Sequence, residues 1–290
     1  MDNFISGEKI QSICDCSFFT KDYIASFPSM LSYCKKYIII DDVIGIDQIN
    51  IIKNSYSFFI KPDLLELLVF KIMPFIQKNF VLITHNADIS VGPISDLNHY
   101  ILSNPFLVTW YGQNMIPYDK CVGIPIGLEN SHWGRTDYSW CLANKDNIKS
   151  NFLYFQFNTS TNSIRETARS SLLNNGFVEN SVKDWKDYIR ELSTYHFCIS
   201  PPGNGIDCHR HWEAIYVGCI PIVLRTAGDN DSIYYYFKDL PILFVDDYSI
   251  VTKEFLEEQL VIFKNKRFNM DVIRLEHWVG NLRFPYDPSL

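Results

Sequence analysis

Phe197-Cys-Ile-Ser-Pro-Pro-Gly-Asn-Gly-Ile-Asp-Cys-His-Arg-His-Trp-Glu-Ala-Ile-Tyr-Val-Gly-Cys-Ile-Pro-Ile-Val-Leu224 reads as a strand, a glycine-rich turn, a helix and a second strand in direct succession. The apolar run 195–200 stops at Pro201-Pro202, which cannot continue a ladder. Gly203 and Gly205 permit backbone angles that let main-chain N–H groups crowd around a ligand, with Asn204 between them. Asp207 is the expected N-cap of the helix, and Gly218 its C′ terminator. On that helix Cys208, Trp212 and Ile215 share the face that packs on a sheet. Arg210 and Glu213 share the opposite face, three positions apart and therefore neighbours. Arg210 lies in the first helical turn, where the helix dipole disfavours a cation. A phosphate held at the helix N-terminus by turn amides and clamped by Arg210 accounts for that placement. The plain alternative is an ordinary strand–turn–helix with Arg210 and Glu213 as a surface pair.

Working outward, 290 residues suffice for one large or two modest domains, and 47% hydrophobic with 20% charged residues fits a globular chain with a sizeable core. A formal net charge of −7 argues against a nucleic-acid partner, which normally leaves a basic footprint. It leaves room for one small anion bound by a local pair of arginines. The first residues, Met1-Asp-Asn-Phe-Ile-Ser-Gly-Glu-Lys, are charged where a signal peptide is apolar. No stretch reaches the roughly 18 apolar residues of a membrane helix, since Glu66, Lys71 and Pro74 interrupt the longest one. Eight scattered cysteines read as free thiols of a reducing, cytoplasmic compartment.

In chain order, residues 37–40 form a buried-type strand ending at Asp41-Asp42, and residues 63–77, opened by Pro62, read as a helix. Phe80-Val-Leu-Ile-Thr84 is a second buried strand, followed at once by His85-Asn-Ala-Asp88. Strands near 107–111 and 122–126 are followed by polar loops. Their Gln113, Asn114, Glu129, Asn130 and His132 have the composition of a carbohydrate site, while Trp110 reads as core. The turn-rich stretch 136–149 marks a boundary between domains 1–145 and 146–290. Residues 151–157 open the second domain as a strand. Ser163 and Glu166 then match a capping box that starts a helix, with Arg165 in its first turn, against the dipole as Arg210 is. Residues 184–193 read as a helix, and Thr252 caps a last amphipathic one. The tail carrying Trp278, Phe284 and Tyr286 is expected to pack back on the N-terminal domain.

The run Ser200-Pro-Pro-Gly-Asn-Gly-Ile-Asp-Cys-His-Arg-His-Trp-Glu-Ala-Ile215 with Gly218-Cys-Ile-Pro-Ile-Val223 resembles the donor-binding segment of exostosin-like glycosyltransferases. Trp110-Tyr-Gly-Gln-Asn114, Ile124-Pro-Ile-Gly-Leu-Glu-Asn130 and the His85-Asn-x-Asp88 element extend the likeness to the other half. The resemblance implies a GT-B fold, two Rossmann-like α/β domains facing a cleft, with the acceptor on the N-terminal domain. It implies a UDP- or GDP-linked sugar as donor, a carbohydrate or glycan as acceptor, and no separate cofactor. Arg165 carries over as a donor-binding residue beside Gly203, Asn204, Gly205, Asp207, Arg210 and Glu213. An inverting transfer needs a base for the acceptor hydroxyl, and Asp88 or His85 are the candidates, each of which also reads as a loop cap. Animal exostosins are membrane-anchored, and this chain departs from them in lacking an apolar span.

Two rival readings remain at this point. A non-catalytic nucleotide- or glycan-binding protein on the same fold would keep the arginines and need no base. A metal-dependent GT-A transferase would use Asp229-Asn-Asp231, a spacing that equally suits a turn. Cys208, His209 and His211 have no spaced second pair of ligands to complete a zinc motif.

Overall fold

The computed structural model describes residues 3–134, 137–225 and 231–283. The chain forms two compact units, one made of Asn3–Gly134 together with the described residues from Asp271 onward, the other running up to Met270.

The first unit is built on strands whose side chains are buried on both faces, as parallel strands covered by helices require. β1 (Cys16–Phe19), β3 (Ser57–Ile60) and β4 (Phe80–Thr84) are buried at every position. With β2 (Tyr37–Ile39), β5 (Leu107–Gly112) and β6 (Cys121–Gly123) they form a six-stranded sheet, ordered β2-β1-β3-β4-β5-β6. All five pairings are parallel, so each connection crosses over a face. α1 (Gly7–Ile13) precedes β1, and the crossovers carry α2 (Lys21–Ser26), α3 (Ile46–Lys53), the single turn α4 (Leu65–Leu67) and α5 (Asp96–Leu102). α12 (Leu275–Arg283) joins them from the far end of the chain. Its Trp278 and Leu282 are buried with Ile5, Ile10, Val81, Ile83 and Ile124 in one cluster. Phe284 and Tyr286 lie outside the described residues.

The second unit has a four-stranded parallel sheet of β7 (Asn151–Tyr154), β8 (Tyr195–Ile199), β9 (Ile220–Leu224) and β10 (Leu243–Val245), in plain sequence order. Its helices are α6 (Tyr138–Asn144), α7 (Ile164–Asn174), α8 (Trp185–Leu192), α9 (His209–Tyr216), α10 (Ser232–Phe237) and α11 (Lys253–Asn265). Phe155, Phe197, Ile199, Ile222 and Leu256 are among the core residues packed about this sheet. Each unit is thus Rossmann-like α/β. Among the described residues no helix is long and apolar enough to cross a membrane.

Several local expectations change. The stretch 63–77 is not one helix: 3-10, α and π turns succeed one another from Pro62 to Phe75. Pro74 has no N–H for the helical ladder, and the turns vary so that Leu65, Leu68, Ile72 and Met73 can all be buried. The capping box at Ser163 does not form. Asn162 Oδ1 accepts from the Ile164 N–H at 3.1 Å instead. Asp207 is not the N-cap of α9 either; Cys208 holds that position, and it makes no side-chain cap bond. The end of α9 follows expectation: Gly218 has φ +70, its N–H reaches Ile215 O, and the Cys219 N–H reaches Ala214 O. That pair of bonds is a Schellman motif. It returns the chain directly into β9.

Candidate functional site

The turn between β8 and α9 is pinned from one side. Arg165, in the first turn of α7, donates from Nε to Pro202 O at 2.8 Å and from Nη2 to Pro201 O at 3.3 Å. Asn162 Nδ2 donates to Gly203 O at 3.0 Å. A Cβ on Gly203 would stand 3.2 Å from Arg165 Nη2, so glycine is what permits this close approach. Peptides here are trans, and a planar trans peptide directs its N–H opposite its C=O. With the Gly203 carbonyl drawn to α7, the Asn204 N–H faces away from it. Neither that N–H nor the one at Gly205 has a partner among the described residues. The Gly203 N–H closes onto Gly205 O at 3.0 Å. Of the three residues only Asn204 is exposed, so its N–H is the donor the turn directs away from α7.

From below, α9 braces the same turn. Trp212 Nε1 donates to Asp207 Oδ1 at 2.8 Å, which gives the buried Asp207 carboxylate a bracing role in place of capping. Ser200 Oγ lies 2.6 Å from His211 Nδ1, and Cys208 Sγ contacts that ring nitrogen at 3.5 Å and Pro201 O at 3.7 Å. Burial lowers His211 below the ordinary histidine range, favouring the neutral ring.

Arg210 is half-buried in the first turn of α9. One terminal nitrogen donates to Gln156 O at 2.6 Å, and the guanidinium carbon lies 5.6 Å from the centre of the Tyr188 ring. Its Nε is closed off from solvent and has no hydrogen-bond partner. Arg169, Arg190, Arg225 and Arg274 each pair with a carboxylate. Among the described residues Arg165, Arg210 and the exposed Arg267 do not. Burial, and beyond it the Arg210 charge, pull the Arg165 guanidinium below its usual range, which places two like charges beside one turn.

Glu213 corrects the helical-wheel reading. It is 7% exposed, not on an open face, because α8 covers it. Trp185 Nε1 donates to Oε1 at 2.8 Å and the Tyr188 hydroxyl to Oε2 at 3.1 Å. Replacing Glu213 by alanine would strand the buried Tyr188 hydroxyl, at a cost of roughly 1–3 kcal/mol, while the half-buried Trp185 indole can turn to water. Urea unfolding of that variant should show a loss in this range; a midpoint unchanged from wild type would refute the bracing role.

In the first unit the expected residues gather beyond the carboxyl ends of β4 and β5, where parallel α/β sheets bind ligands. His85 is 1% exposed, with Nε2 3.0 Å from Pro125 O and Nδ1 3.1 Å from Asn86 Oδ1. Both ring nitrogens face oxygens, so His85 is not placed to take a substrate proton. Asp88 is exposed, and Asn114 Nδ2 fixes its main-chain carbonyl at 3.1 Å. Asn86 adopts φ +63 and donates its N–H to Gln113 Oε1 at 3.1 Å. Asn130 bridges from the Glu8 N–H, which it accepts at 2.9 Å, to Asn86 Oδ1 at 3.0 Å. Glu8 in turn accepts from Ser131 through Oε2. Trp133 is exposed and packs at a tilt against Phe27 and His132.

Sequence reasoning missed Asn162, Gln156, Trp185, Asn86 and Glu8. Only Asn86 carried a signal, its place in the His85–Asp88 element.

No family model matches the sequence, and none of the curated proteins is a match. Among solved structures the chain is similar to the glycotransferase of kitacinnamycin. The identity is 10%, the match covers 95% of this chain and 89% of that one, and the TM-score is 0.41.

The donor set suits the metal-dependent alternative poorly. Asp231 caps α10 through the Tyr234 N–H at 3.1 Å and pairs with Arg225 at 3.4 Å, and Asp229 lies outside the described residues. Among the described residues no three acidic, histidine or cysteine side chains converge as a metal site.

Proposed function

We propose that the chain is a glycosyltransferase that moves a sugar from a nucleotide-diphosphate donor to a carbohydrate hydroxyl, with inversion and without an essential metal. The observation that supports this reading is the turn at 203–205, whose exposed Asn204 has a main-chain N–H without a partner, followed in the next helix by Arg210, a cation with no carboxylate pair among the described residues. A diphosphate matches both, accepting from turn amides and from a guanidinium. Arg165 is a positioning residue, since three of its donors hold the Asn158, Pro201 and Pro202 carbonyls. Gly203, Asn204 and Gly205 line the diphosphate, while Asp207 and Glu213 hold α9 beneath it.

In the reaction the acceptor oxygen attacks the anomeric carbon as the bond to the diphosphate breaks. Arg210 offsets the charge arising on the leaving phosphate oxygen, which is transition-state stabilisation. The acceptor hydroxyl proton goes to Asp88, the candidate of the two whose side chain is exposed. His85 holds the loop that carries it.

The test is a thermal-shift screen of the intact chain against UDP, GDP and CMP, with and without Mn²⁺. A ligand that binds the native state raises the midpoint by mass action, and a metal-independent rise with one diphosphate is expected. Asp88→Asn should keep that rise and lose about 10²–10⁴-fold in transfer, the usual weight of a general base. No shift with any nucleotide would overturn the reading. A shift with no transfer by the wild-type chain would leave a binding protein.

A further inference from the structure

The chain contains two Asn-Gly pairs, Asn175-Gly176 and Asn204-Gly205, and the fold holds them in opposite ways. In such a pair the glycine nitrogen can attack the asparagine side-chain amide, because glycine has no Cβ to obstruct ring closure. The attack needs a free side chain and a free main-chain N–H, since a bonded group must open before it reacts. At the end of α7 neither is free. Asn175 Nδ2 donates to Ser249 O and to Val251 O, both at 2.9 Å. The Gly176 N–H donates to Leu173 O at 3.0 Å.

At the turn between β8 and α9 both are free. Asn204 is exposed, and its side chain has no hydrogen-bond partner among the described residues. The peptide joining it to Gly205 has neither its carbonyl nor its N–H bonded among them. The bonds that shape the turn lie to either side of that peptide. Asn162 holds Gly203 O at 3.0 Å, and the Gly203 N–H holds Gly205 O at 3.0 Å.

We infer that Asn204 is a site of spontaneous deamidation, and that the product disables the turn as an anion site. The Gly205 nitrogen gives up its proton to solvent base and bonds to Cγ of Asn204. The Cγ–Nδ2 bond breaks, and Nδ2 leaves as ammonia, which closes a five-membered imide. Water then opens the imide. Addition at Cγ gives aspartate, and addition at the main-chain carbon gives isoaspartate, which routes the chain through an extra methylene. The sum is one water taken up and one ammonia released. Either product places a carboxylate on the exposed residue of the turn, where it repels an anion. Isoaspartate also lengthens the chain between Gly203 and Gly205, whose mutual bond closes the turn. The modification stands on the turn alone; its effect on a nucleotide rests on the transferase reading.

The experiment ages the intact chain in warm, mildly alkaline buffer and follows both Asn-Gly peptides by mass spectrometry and isoaspartate-specific methylation. Conversion at Asn204 roughly tenfold or more faster than at Asn175 is expected, because only Asn175 must first break its bonds. In urea the gap should close, since the dipeptide is the same. Asn204→Gln should remove the product, because a longer side chain does not close the five-membered ring. Equal rates in the folded chain, faster loss at Asn175, or a gap that persists in urea overturns the inference. The consequence is read separately. Aged wild-type chain and fresh Asn204→Asp should each lose the nucleotide-dependent rise in thermal midpoint, and an undiminished rise in both overturns the claim that the turn is disabled. No rise with fresh wild-type chain would remove the transferase reading and leave the deamidation result as it stands.

Discussion

Arg210→Ala is expected to abolish the nucleotide-dependent rise in thermal midpoint and to lower transfer by roughly 10²–10³-fold, the effect of removing one donor aimed at developing charge. The fold should survive. The side chain gives the protein one hydrogen bond to Gln156 O and its place over the Tyr188 ring. α9 is held by other groups: Trp212 is 1% exposed and bonded to Asp207, and the helix ends in the bonds at Gly218 and Cys219. Arg210→Lys should recover only part of the loss, because an ammonium supplies charge without the planar fork that meets two phosphate oxygens. Arg169→Ala is the matched control, since Arg169 is paired with Glu179 at 2.7 Å and lies further along α7. Calorimetric titration with the nucleotide and kcat/KM measured together separate the cases. Wild-type values in Arg210→Ala would end the assignment.

Gly127→Ala should be among the most damaging single substitutions to the first unit, by about 3 kcal/mol or more, because two costs add. Gly127 has φ +69, a left-handed conformation that a side chain resists, and its Cβ would lie 2.1 Å from Ile5 O. The obstacle is main chain, so no rotamer change relieves it. The same Ile5 carbonyl accepts the Leu128 N–H at 2.8 Å, and Ser6 bridges to Leu128. Displacing that contact would also shift Glu8 away from Asn130. Gly134→Ala separates the two costs, because Gly134 has φ +68 with nothing within 4 Å of its Cβ position. It should cost only the conformational part, about 1 kcal/mol. Equal losses in the two variants, read by urea unfolding, would show that the approach to Ile5 has no weight.

The parallel strands were legible because their burial on both faces leaves continuous apolar runs, as at Phe80–Thr84. Gly218 and Thr252 were legible because helix ends depend on adjacent residues, and Thr252 does accept from the Phe255 N–H at 3.2 Å. What escaped depends on remote partners. A helical wheel sets Glu213 opposite the sheet, but nothing in α9 says that α8 lies there with Trp185 and Tyr188. Arg165 shows a charge against the dipole, yet its partners Pro201 and Pro202 lie 36 and 37 positions away. Asp207 is a good cap by type, but the indole of Trp212 claimed its carboxylate. Asn162 took the place of Ser163 because a side chain with both donor and acceptor could start α7 and hold Gly203 at once.

The discontinuity of the first unit bears on how the chain is made. Ile5, Ile10 and Ile83 leave the ribosome early, whereas Trp278 and Leu282, which share their cluster, emerge after every residue of the second unit. Synthesis runs at about 5–20 residues per second and domains fold as they emerge. The second unit, contiguous in sequence, can therefore close while the first still exposes the apolar surface awaiting α12. The half of the protein begun first is completed last. For that interval its nascent sheet is a client for chaperones, and a messenger cut short before codon 278 would yield a finished second unit tethered to an unfinished first.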